Sequence, residues 1–242
     1  MNNADWDMNT GIAGQLITVR FLNFSGIFSR WHALGNMGRS MRHPVSAPGL
    51  VFQKLMGTGA GNGFSIFPDF SQYAWLSVWE KEVQANRFFA QDCQWEQLSG
   101  RCSNIFGWDA VPLRGHGTWN GKQPFIFSDK KEKWSGNVAV ITRASIRRSQ
   151  SLRFWWRVPS ASRAFPSHKG LIYAKGVGEL PLVEQATLSL WENLESLQQY
   201  AYKREEHVKV IEETRKYNWY SEEMFVRMGV VRTTGAFPIR KP

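Results

Sequence analysis

An internal repeat constrains the fold of this 242-residue chain more than any other feature of its sequence. The segment "YAWLSVWE" (residues 73–80) aligns with "QATLSLWE" (residues 185–192), and each is followed by residues with the apolar spacing of an amphipathic helix. A lysine and then glycines precede each segment, at Lys54 and Lys175 respectively. One half of the chain therefore resembles the other.

A second match, upstream of the first, supports the duplication. The segment "ITVRFLNFSGIFSRW" (residues 17–31) resembles "VITRASIRRSQSLRF" (residues 140–154), with Arg20 aligned to Arg143. Two matches in the same order are hard to attribute to chance. We infer that the chain contains two copies of one structural unit.

Each copy has the pattern strand, helix, strand, strand, helix. Strands alternate apolar and polar residues or run apolar with β-branched side chains, whereas helices repeat with a period of 3.6. These patterns predict strands at 15–24, 50–56, 71–79, 137–147, 171–177 and 184–191, and helices near 28–41, 81–97, 152–162 and 193–215. The order predicts an α+β fold, in which two tandem ferredoxin-like repeats form an α/β barrel within one chain.

The repeat also sets the expected domain boundaries. We expect a first ferredoxin-like repeat at 15–112 and a second one at 137–232. Residues 113–136 are rich in Gly, Lys and polar side chains, as in a linker or lid. A flexible N-terminal tail (1–14) and a C-terminal tail (233–242) complete the predicted organisation.

The charge of the chain bears on its partners and location. The net charge is +10, but the basic residues are scattered and no recognition motif accompanies them, so nucleic acid is not an expected partner. A positive protein can instead contact anionic membrane surfaces, where each well-placed Lys or Arg contributes about 1 kcal/mol. The sequence has no signal-peptide pattern and no run of 18 or more apolar residues. We expect a cytoplasmic protein, with peripheral membrane contact as an option.

Several common catalytic patterns are missing from the sequence. The segment "GTGAGNG" (residues 57–63) lacks the spacing of a phosphate-binding loop and lies between two predicted strands, so it is interpreted as a hairpin loop. No G-x-S-x-G or H-E-x-x-H motif occurs, and the five histidines are far apart in sequence. A single histidine that ligates haem iron remains compatible with this pattern.

His207 is the candidate for such a ligand. It lies in the predicted helix 193–215, near the edge of the apolar stripe and close to Tyr200 and Ile211. One interpretation is a half-exposed helix histidine with no special role. The other is an imidazole that reaches from the helix edge into a cavity between helix and sheet.

Longer strings of the sequence resemble a known family. They are "RFWWRVP" (153–159), "KGVGELPLVEQATLSLW" (175–191) and "HVKVIEETRKYNWYSEEMFVRM" (207–228), with "FQKLMGTGAGNGFSIFPDFSQYAWLSVW" (52–79) and a W-x-G-x-x-PF motif (119–125) in the first half. Together they resemble spheroidene monooxygenase, a bacterial acyclic-carotenoid 2-ketolase. The resemblance covers most of the chain and also implies the haem-binding dimeric α/β-barrel type of fold.

The resemblance implies a haem b cofactor and a place for it. In such proteins a histidine on the last helix of the haem-bearing half ligates the iron, and His207 is the matching position. The same resemblance makes His207 the metal ligand. Tyr200 and Ile211, its neighbours on the helical wheel, are then expected to contact the cofactor. Trp191 is expected to line the same pocket, with core packing as its alternative.

Three polar residues are the expected catalytic groups on the opposite side of the haem. Arg143, Lys175 and Gln185 are each polar within an apolar strand context, and we expect them on the sheet face that looks towards the helix. There each would hydrogen-bond a ligand of the iron or a haem propionate. The alternative for two of them is a structural role repeated in both halves, because Arg20 and Lys54 align with Arg143 and Lys175.

The resemblance implies an oxidoreductase, a monooxygenase that converts an apolar, carotenoid-like substrate to a hydroxy or keto product. Its partners would be that substrate and an electron donor or a peroxide, with a homo-oligomer as an option. Three alternatives stay open: a haem-dependent dehydratase or peroxidase acting on a small molecule, a non-enzymatic haem carrier or sensor, and a cofactor-free monooxygenase of the same fold.

Overall fold

The computed structural model describes residues 14–61, 67–127, 134–151, 168–180, 183–202 and 219–238. The strands are β1 (Leu16–Asn23), β2 (Leu50–Gly59), β3 (Pro68–Trp79), β4 (Asn104–Gly117), β5 (Val138–Ile146), β6 (Leu171–Gly178), β7 (Glu184–Trp191) and β8 (Tyr220–Thr234). The α-helices of the described chain are α1 (Ile27–Arg42), α2 (Glu82–Gln91), α3 (Cys93–Ser99) and α4 (Leu194–Tyr202).

The eight strands form one closed antiparallel barrel in the order β1-β3-β2-β6-β7-β5-β8-β4. Within each half the order is that of a ferredoxin-like sheet, β4-β1-β3-β2 in the first half and β8-β5-β7-β6 in the second. The halves join at a short β2–β6 pairing and at a long β4–β8 pairing. The predicted fold of two tandem ferredoxin-like repeats in one barrel is confirmed.

Side chains pack on both faces of the barrel wall. Alternate residues of each strand point inwards and fill the interior, as eight-stranded barrels require. The remaining residues point outwards, where helices cover the first sheet. This explains why β1, "LITVRFLN", is buried on both faces over all but its last residue.

The last strand of each half was not predicted. β4 contains Pro112 and three glycines that are closely approached by neighbouring strands, Gly107, Gly115 and Gly117, which weaken a strand pattern. β8 begins with consecutive charged residues, Glu222 and Glu223. These two strands are long, and they pair with each other over most of their length where the two halves meet. β4 also extends through Gly117, into the segment predicted as a linker.

None of the helices in the described part of the chain combines the length and apolar character needed to cross a bilayer.

Candidate active site

Strand register gives a residue-by-residue equivalence between the two halves. Trp79 of β3 lies opposite Leu16 and Leu50, and Trp191 of β7 lies opposite Val138 and Leu171 in the same way. The indole nitrogens of the two tryptophans each donate a 3.0 Å hydrogen bond to a serine two residues earlier, Ser77 and Ser189 respectively. The repeat is therefore structural as well as sequential.

The outer face of the first sheet is closed by large side chains. Arg20, Trp75 and Leu55 occupy the centre of that face on β1, β3 and β2, and all are buried. The Arg20 guanidinium lies 5.0 Å from the ring centre of Phe89 and forms an ion pair with Asp109 at 2.6 Å. Buried side chains therefore fill the centre of this face.

The outer face of the second sheet has small residues at the same three positions. Register aligns Arg20 with Thr142, Trp75 with Thr187 and Leu55 with Gly176. Thr142 and Thr187 lie directly opposite each other on β5 and β7. Thr142 is exposed and Thr187 is half-buried, whereas their counterparts in the first half are buried. We name the surface formed by Thr142, Gly176 and Thr187 the second-sheet recess.

Aromatic side chains lie on the same outer face, four residues along β7 from Thr187. Trp191 is buried at the end of β7, and its ring centre lies 5.0 Å from that of half-buried Tyr200 on α4. The His168 ring packs edge-on against both, at 5.3 Å from Tyr200 and 5.9 Å from Trp191. Two of the predicted cofactor-binding residues are thus brought together on this side of the sheet.

Gln185 is the one predicted catalytic residue that lies on the expected face. It is half-buried on β7, and its alternation with Ala186 and Leu188, which point inwards, places it on the same outer side as Thr187. Its amide nitrogen lies near Gly178 on β6, where an added Cβ would approach it to 3.5 Å. Gln185 therefore lies at the edge of the second-sheet recess.

The predicted position of Arg143 is wrong, because its side chain points into the barrel. Its guanidinium donates to Glu222 at 2.5 Å and to Asn120 at 2.8 Å, and it lies 5.0 Å from the ring centre of Trp119. Register aligns Arg143 with Phe21, and not with Arg20 as the sequence comparison assumed. A one-residue slip in a strand moves a side chain to the opposite face.

Glu222 holds Arg143 and the segment after β4 together. Burial alone would raise the pKa of Glu222, but hydrogen bonds from the Gly121 amide, the Thr118 hydroxyl, Arg143 and the Asn120 amide outweigh it and lower that pKa to about 2. The carboxylate is therefore ionised at neutral pH and ties β8 to the chain that leads out of β4.

The predicted position of Lys175 is also wrong, because its side chain does not face the helix. Its ammonium group points into the barrel, donates to the Gly61 carbonyl at 3.0 Å and lies 3.5 Å from Asp69. Burial lowers the pKa of Lys175, and Asp69 opposes that shift. Its equivalence with Lys54 is confirmed by register, and Lys54 forms the matching ion pair with Glu179 of the other half. Both lysines therefore link the two halves.

The remaining predicted residues, His207 and Ile211, lie outside the described residues. Their predicted roles as iron ligand and cofactor contact stay predictions. Within the described ranges no group of three His, Cys, Asp or Glu residues is placed to hold a metal ion.

A cavity of about 360 Å³ lies near the end of α1. Its polar lining includes Lys54, Glu179, Glu184 and Asn120. Burial, together with the negative charge of Glu179, raises the pKa of Glu184, and Arg143 opposes the shift. Since two of these charged groups already form the Lys54–Glu179 ion pair, the cavity belongs to the network that joins the halves.

The recess residues were not predicted from the sequence, although the aligned repeats differ at one of them. The alignment of "YAWLSVWE" with "QATLSLWE" places Trp75 over Thr187, which is the loss of a large aromatic side chain at an otherwise matched position. The change from Arg20 to Thr142 was hidden by the one-residue error in aligning β1 with β5.

Solved structures of other proteins share the fold of this chain. A solved structure of aldoxime dehydratase in complex with butyraldoxime superposes on this chain with a TM-score of 0.57 and 9% identity, covering 90% of this chain and 80% of that one. A second aldoxime dehydratase structure gives a TM-score of 0.52 and 10% identity, covering 90% and 82%. At such identities the likeness concerns the fold alone, a duplicated ferredoxin-like barrel. No family model matches the chain.

Sequence relatives give a narrower likeness. The chain is 28% identical to spheroidene monooxygenase of Rhodobacter capsulatus, over 93% of this chain and 94% of that protein. It is 28% identical to the Cereibacter sphaeroides enzyme of the same name, over 94% and 70%, and 27% identical to that of Rubrivivax gelatinosus, over 99% and 91%. The predicted resemblance to spheroidene monooxygenase is confirmed along nearly the whole chain, and these relatives indicate an oxidoreductase.

Proposed function

We propose that this protein is a haem-dependent monooxygenase that oxidises an apolar, carotenoid-like substrate to a hydroxy or keto product. The similarity to three spheroidene monooxygenases over most of the chain supports the reaction class. The apolar substrate is inferred from the name of these relatives.

The observation that carries the haem proposal is the second-sheet recess. A flat cofactor between a sheet and a helix needs a sheet surface without large side chains. The second sheet provides such a surface at Thr142, Gly176 and Thr187, where the first sheet has Arg, Leu and Trp. The residues present therefore fit a planar group on one half of the barrel, whereas large side chains fill the same place on the other.

The chain offers residues to hold the cofactor in this place. We assign the iron ligand to His207, which follows α4 in sequence, on the basis of the family resemblance. Trp191 and Tyr200 form an aromatic pair on the same outer face. When bound, haem would supply oxygen activation, which no amino-acid side chain provides.

The protein contributes orientation and polarity. The hydroxyl groups of Thr142 and Thr187 are hydrogen-bonding groups at the centre of the recess, and the Gln185 amide is one at its edge. They are neutral, so the face can accept an apolar substrate without burying an unpaired charge. Arg143 and Lys175 are held in ion pairs inside the barrel and serve the scaffold.

An absorption spectrum of the purified protein, expressed with a haem precursor, tests the cofactor. We expect a Soret band in the wild type that is lost or shifted in His207→Ala. His43→Ala, at an exposed position after α1, is the matched control and should keep the wild-type spectrum. A band that survives in His207→Ala but disappears in His168→Ala would contradict the ligand assignment. A protein that stays colourless after haem titration would contradict the haem proposal and leave the cofactor-free alternative.

The substrate requires a second assay. The haem-loaded protein is incubated with an acyclic carotenoid and either a reducing system with oxygen or a peroxide, and products are separated and weighed by mass spectrometry. Hydroxy or keto products support the proposal. Turnover of small aldoximes or peroxides without carotenoid conversion would indicate a dehydratase or peroxidase. Haem binding without any turnover would indicate a carrier or sensor.

A further inference from the structure

Helix α1 exposes large apolar side chains on its outer face. Ile27 is 65% exposed, Phe28 85%, Trp31 67% and Leu34 37%. Ile27, Trp31 and Leu34 lie on one side of the helix at spacings of four and three residues, and Phe28 lies beside them. The opposite side of α1 carries buried Ala33 and packs against the first sheet. The exposed residues are therefore not needed to attach the helix to the barrel.

The surroundings of this apolar face are basic. Arg30, Arg39 and Arg42 of α1 are exposed, and the sequence contains no Asp or Glu between residues 8 and 68. Burial lowers the pKa of His32 on α1, and the positive charges of Arg101, after α3, and of Arg39 lower it further. The apolar face is thus flanked by positive charge, with no acidic residue on its own helix.

Further exposed aromatic residues lie at the same end of the barrel. The chain leading into α1 is hydrogen-bonded to the start of β3, with the Phe24 amide donating to the Ser71 carbonyl at 2.7 Å. Phe67 and Phe70, just before Ser71, are 69% and 52% exposed. The start of α1 and the β3 entry therefore present aromatic side chains near one another.

We propose that the outer face of α1 docks on an anionic lipid bilayer surface. Phe28 and Trp31 would enter the boundary between headgroups and acyl chains, and Arg30, Arg39 and Arg42 would bind lipid phosphates. Charge complementarity selects this occupant, because an apolar face rimmed by arginines matches a surface that is apolar inside and negative outside. An isolated apolar patch of this kind marks an interaction site in a folded protein.

The geometry of the helix agrees with lying on the surface. α1 has 16 residues, or about 24 Å at 1.5 Å per residue, and one side of it is fixed to the sheet. The proposal does not depend on haem or on catalysis. It is consistent with an apolar substrate, since such molecules reside in bilayers.

Co-sedimentation of the full-length protein with vesicles tests the proposal. One set of vesicles contains phosphatidylcholine alone, and the other contains phosphatidylcholine and phosphatidylglycerol in equal parts. We expect binding to the anionic vesicles, weakened by added salt because surface charge is screened. The double variant Phe28→Ser, Trp31→Ser should lower the partition coefficient at least about tenfold, and Arg39→Gln, Arg42→Gln by about tenfold or more.

Matched controls distinguish binding through the α1 face from nonspecific binding by exposed apolar or basic residues elsewhere. Val83→Ser on α2 and Ile126→Ser after β4 remove apolar side chains that are 60% and 71% exposed. Arg87→Gln removes an exposed arginine from α2. These controls should bind vesicles as the wild type does. Unimpaired binding by the Phe28, Trp31 variant, or no binding by the wild type, would overturn the proposal.

A second copy of the chain is the main competing occupant. Size-exclusion chromatography with light scattering, over a range of protein concentrations, measures self-association. A dimer that dissociates in the Phe28, Trp31 variant, combined with no vesicle binding by the wild type, would assign the face to that dimer instead.

Discussion

The two sheets of the barrel share a strand order and a Trp–Ser hydrogen bond on their outer faces, yet the centres of those faces differ. The first is filled by Arg20, Leu55 and Trp75 under α2 and α3, and the second has Thr142, Gly176 and Thr187 at the same positions. The sequences after the sheets differ as well. Residues 81–100 contain no histidine, whereas His207 follows α4. Duplication has thus left one sheet as scaffold and the other with a surface that can receive a ligand.

Inside the barrel it is the second half that carries the buried charge. Phe21 of the first half stacks on Phe106 with ring centres 5.2 Å apart, whereas its counterpart Arg143 forms an ion pair with Glu222. The first half therefore places its central charge outside the barrel, at Arg20, and the second places it inside. Each half therefore has a buried arginine on its first strand, but Arg143 lies one residue further along its strand than the position that corresponds to Arg20.

We expect the largest effect on stability from the buried ion pairs of Asp109 on the outer side of the first sheet. Asp109 is paired with Arg20 at 2.6 Å and with Arg232 at 2.7 Å, and its side chain is 1% exposed. Asp109→Ala leaves a buried guanidinium without this carboxylate, and we expect a loss of about 3–5 kcal/mol in the free energy of unfolding. Urea denaturation measures this.

The counterpart position supplies the control for that measurement. Thr142→Ala, at the position equivalent to Arg20, should cost less than about 1 kcal/mol. A cost below about 1 kcal/mol for Asp109→Ala would mean that the charged network does not hold the first sheet closed.

Transferring the first-half residue into the second sheet tests the recess. Thr187→Trp restores the side chain found at Trp75 and should occupy the space that the cofactor needs. We expect haem affinity to fall about 100-fold, equivalent to ~2.7 kcal/mol, in a spectroscopic titration. Thr187→Ala removes the hydroxyl without filling the space and should keep most of the affinity. Equal haem binding by Thr187→Trp and wild type would place the cofactor elsewhere.

The charged interior of the second half should show in the pH dependence of stability. The folded-state pKa of Glu222, about 2, lies below the ordinary value of 4.5. Its contribution is therefore fully present above pH 4.5 and is lost as the pH falls towards 2. Glu222→Gln should cost about 2 kcal/mol at neutral pH, and the difference from wild type should shrink in acid.

Glu223→Gln is the matched control for this measurement, because Glu223 is the exposed neighbour of Glu222 on β8. It should leave the stability curve unchanged between neutral pH and acid. A pH-independent difference between Glu222→Gln and wild type would show that charge at Glu222 is not the stabilising feature.

The smallest effect is expected at the feature that both halves share. Trp79→Phe and Trp191→Phe each remove a 3.0 Å hydrogen bond to serine and should cost about 1 kcal/mol from that bond. Trp79 packs against buried Phe88 with ring centres 5.1 Å apart, whereas Trp191 packs at 5.0 Å against Tyr200, which is only half-buried. Replacement of Trp79 should therefore cost more than that of Trp191. Chemical denaturation of the two variants compares them directly. A larger cost at Trp191 would reverse the assignment of the first half as the more tightly packed one.

Much of the fold could be predicted from the sequence because it is encoded locally. Six strands of the described chain appeared as alternating or apolar runs, and the repeated Ser-x-Trp-Glu fixed the equivalence of β3 and β7. β4 and β8 escaped notice because Pro112 and the charged start of β8 interrupt such a pattern. Their long pairing with each other joins residues that are far apart in sequence, so neither segment shows it by itself.

The sequence by itself determined the duplication, the ferredoxin-like order of its elements and the likeness to spheroidene monooxygenase. Only the tertiary structure decided which side of the wall each polar strand residue faces. Side chains along a strand alternate between the two faces. Arg143 was expected on the helix side but points into the barrel, one residue out of register with Arg20. Register is set by pairing with neighbouring strands, which no single segment encodes. The same pairing brought Thr142, Gly176 and Thr187 together from three strands.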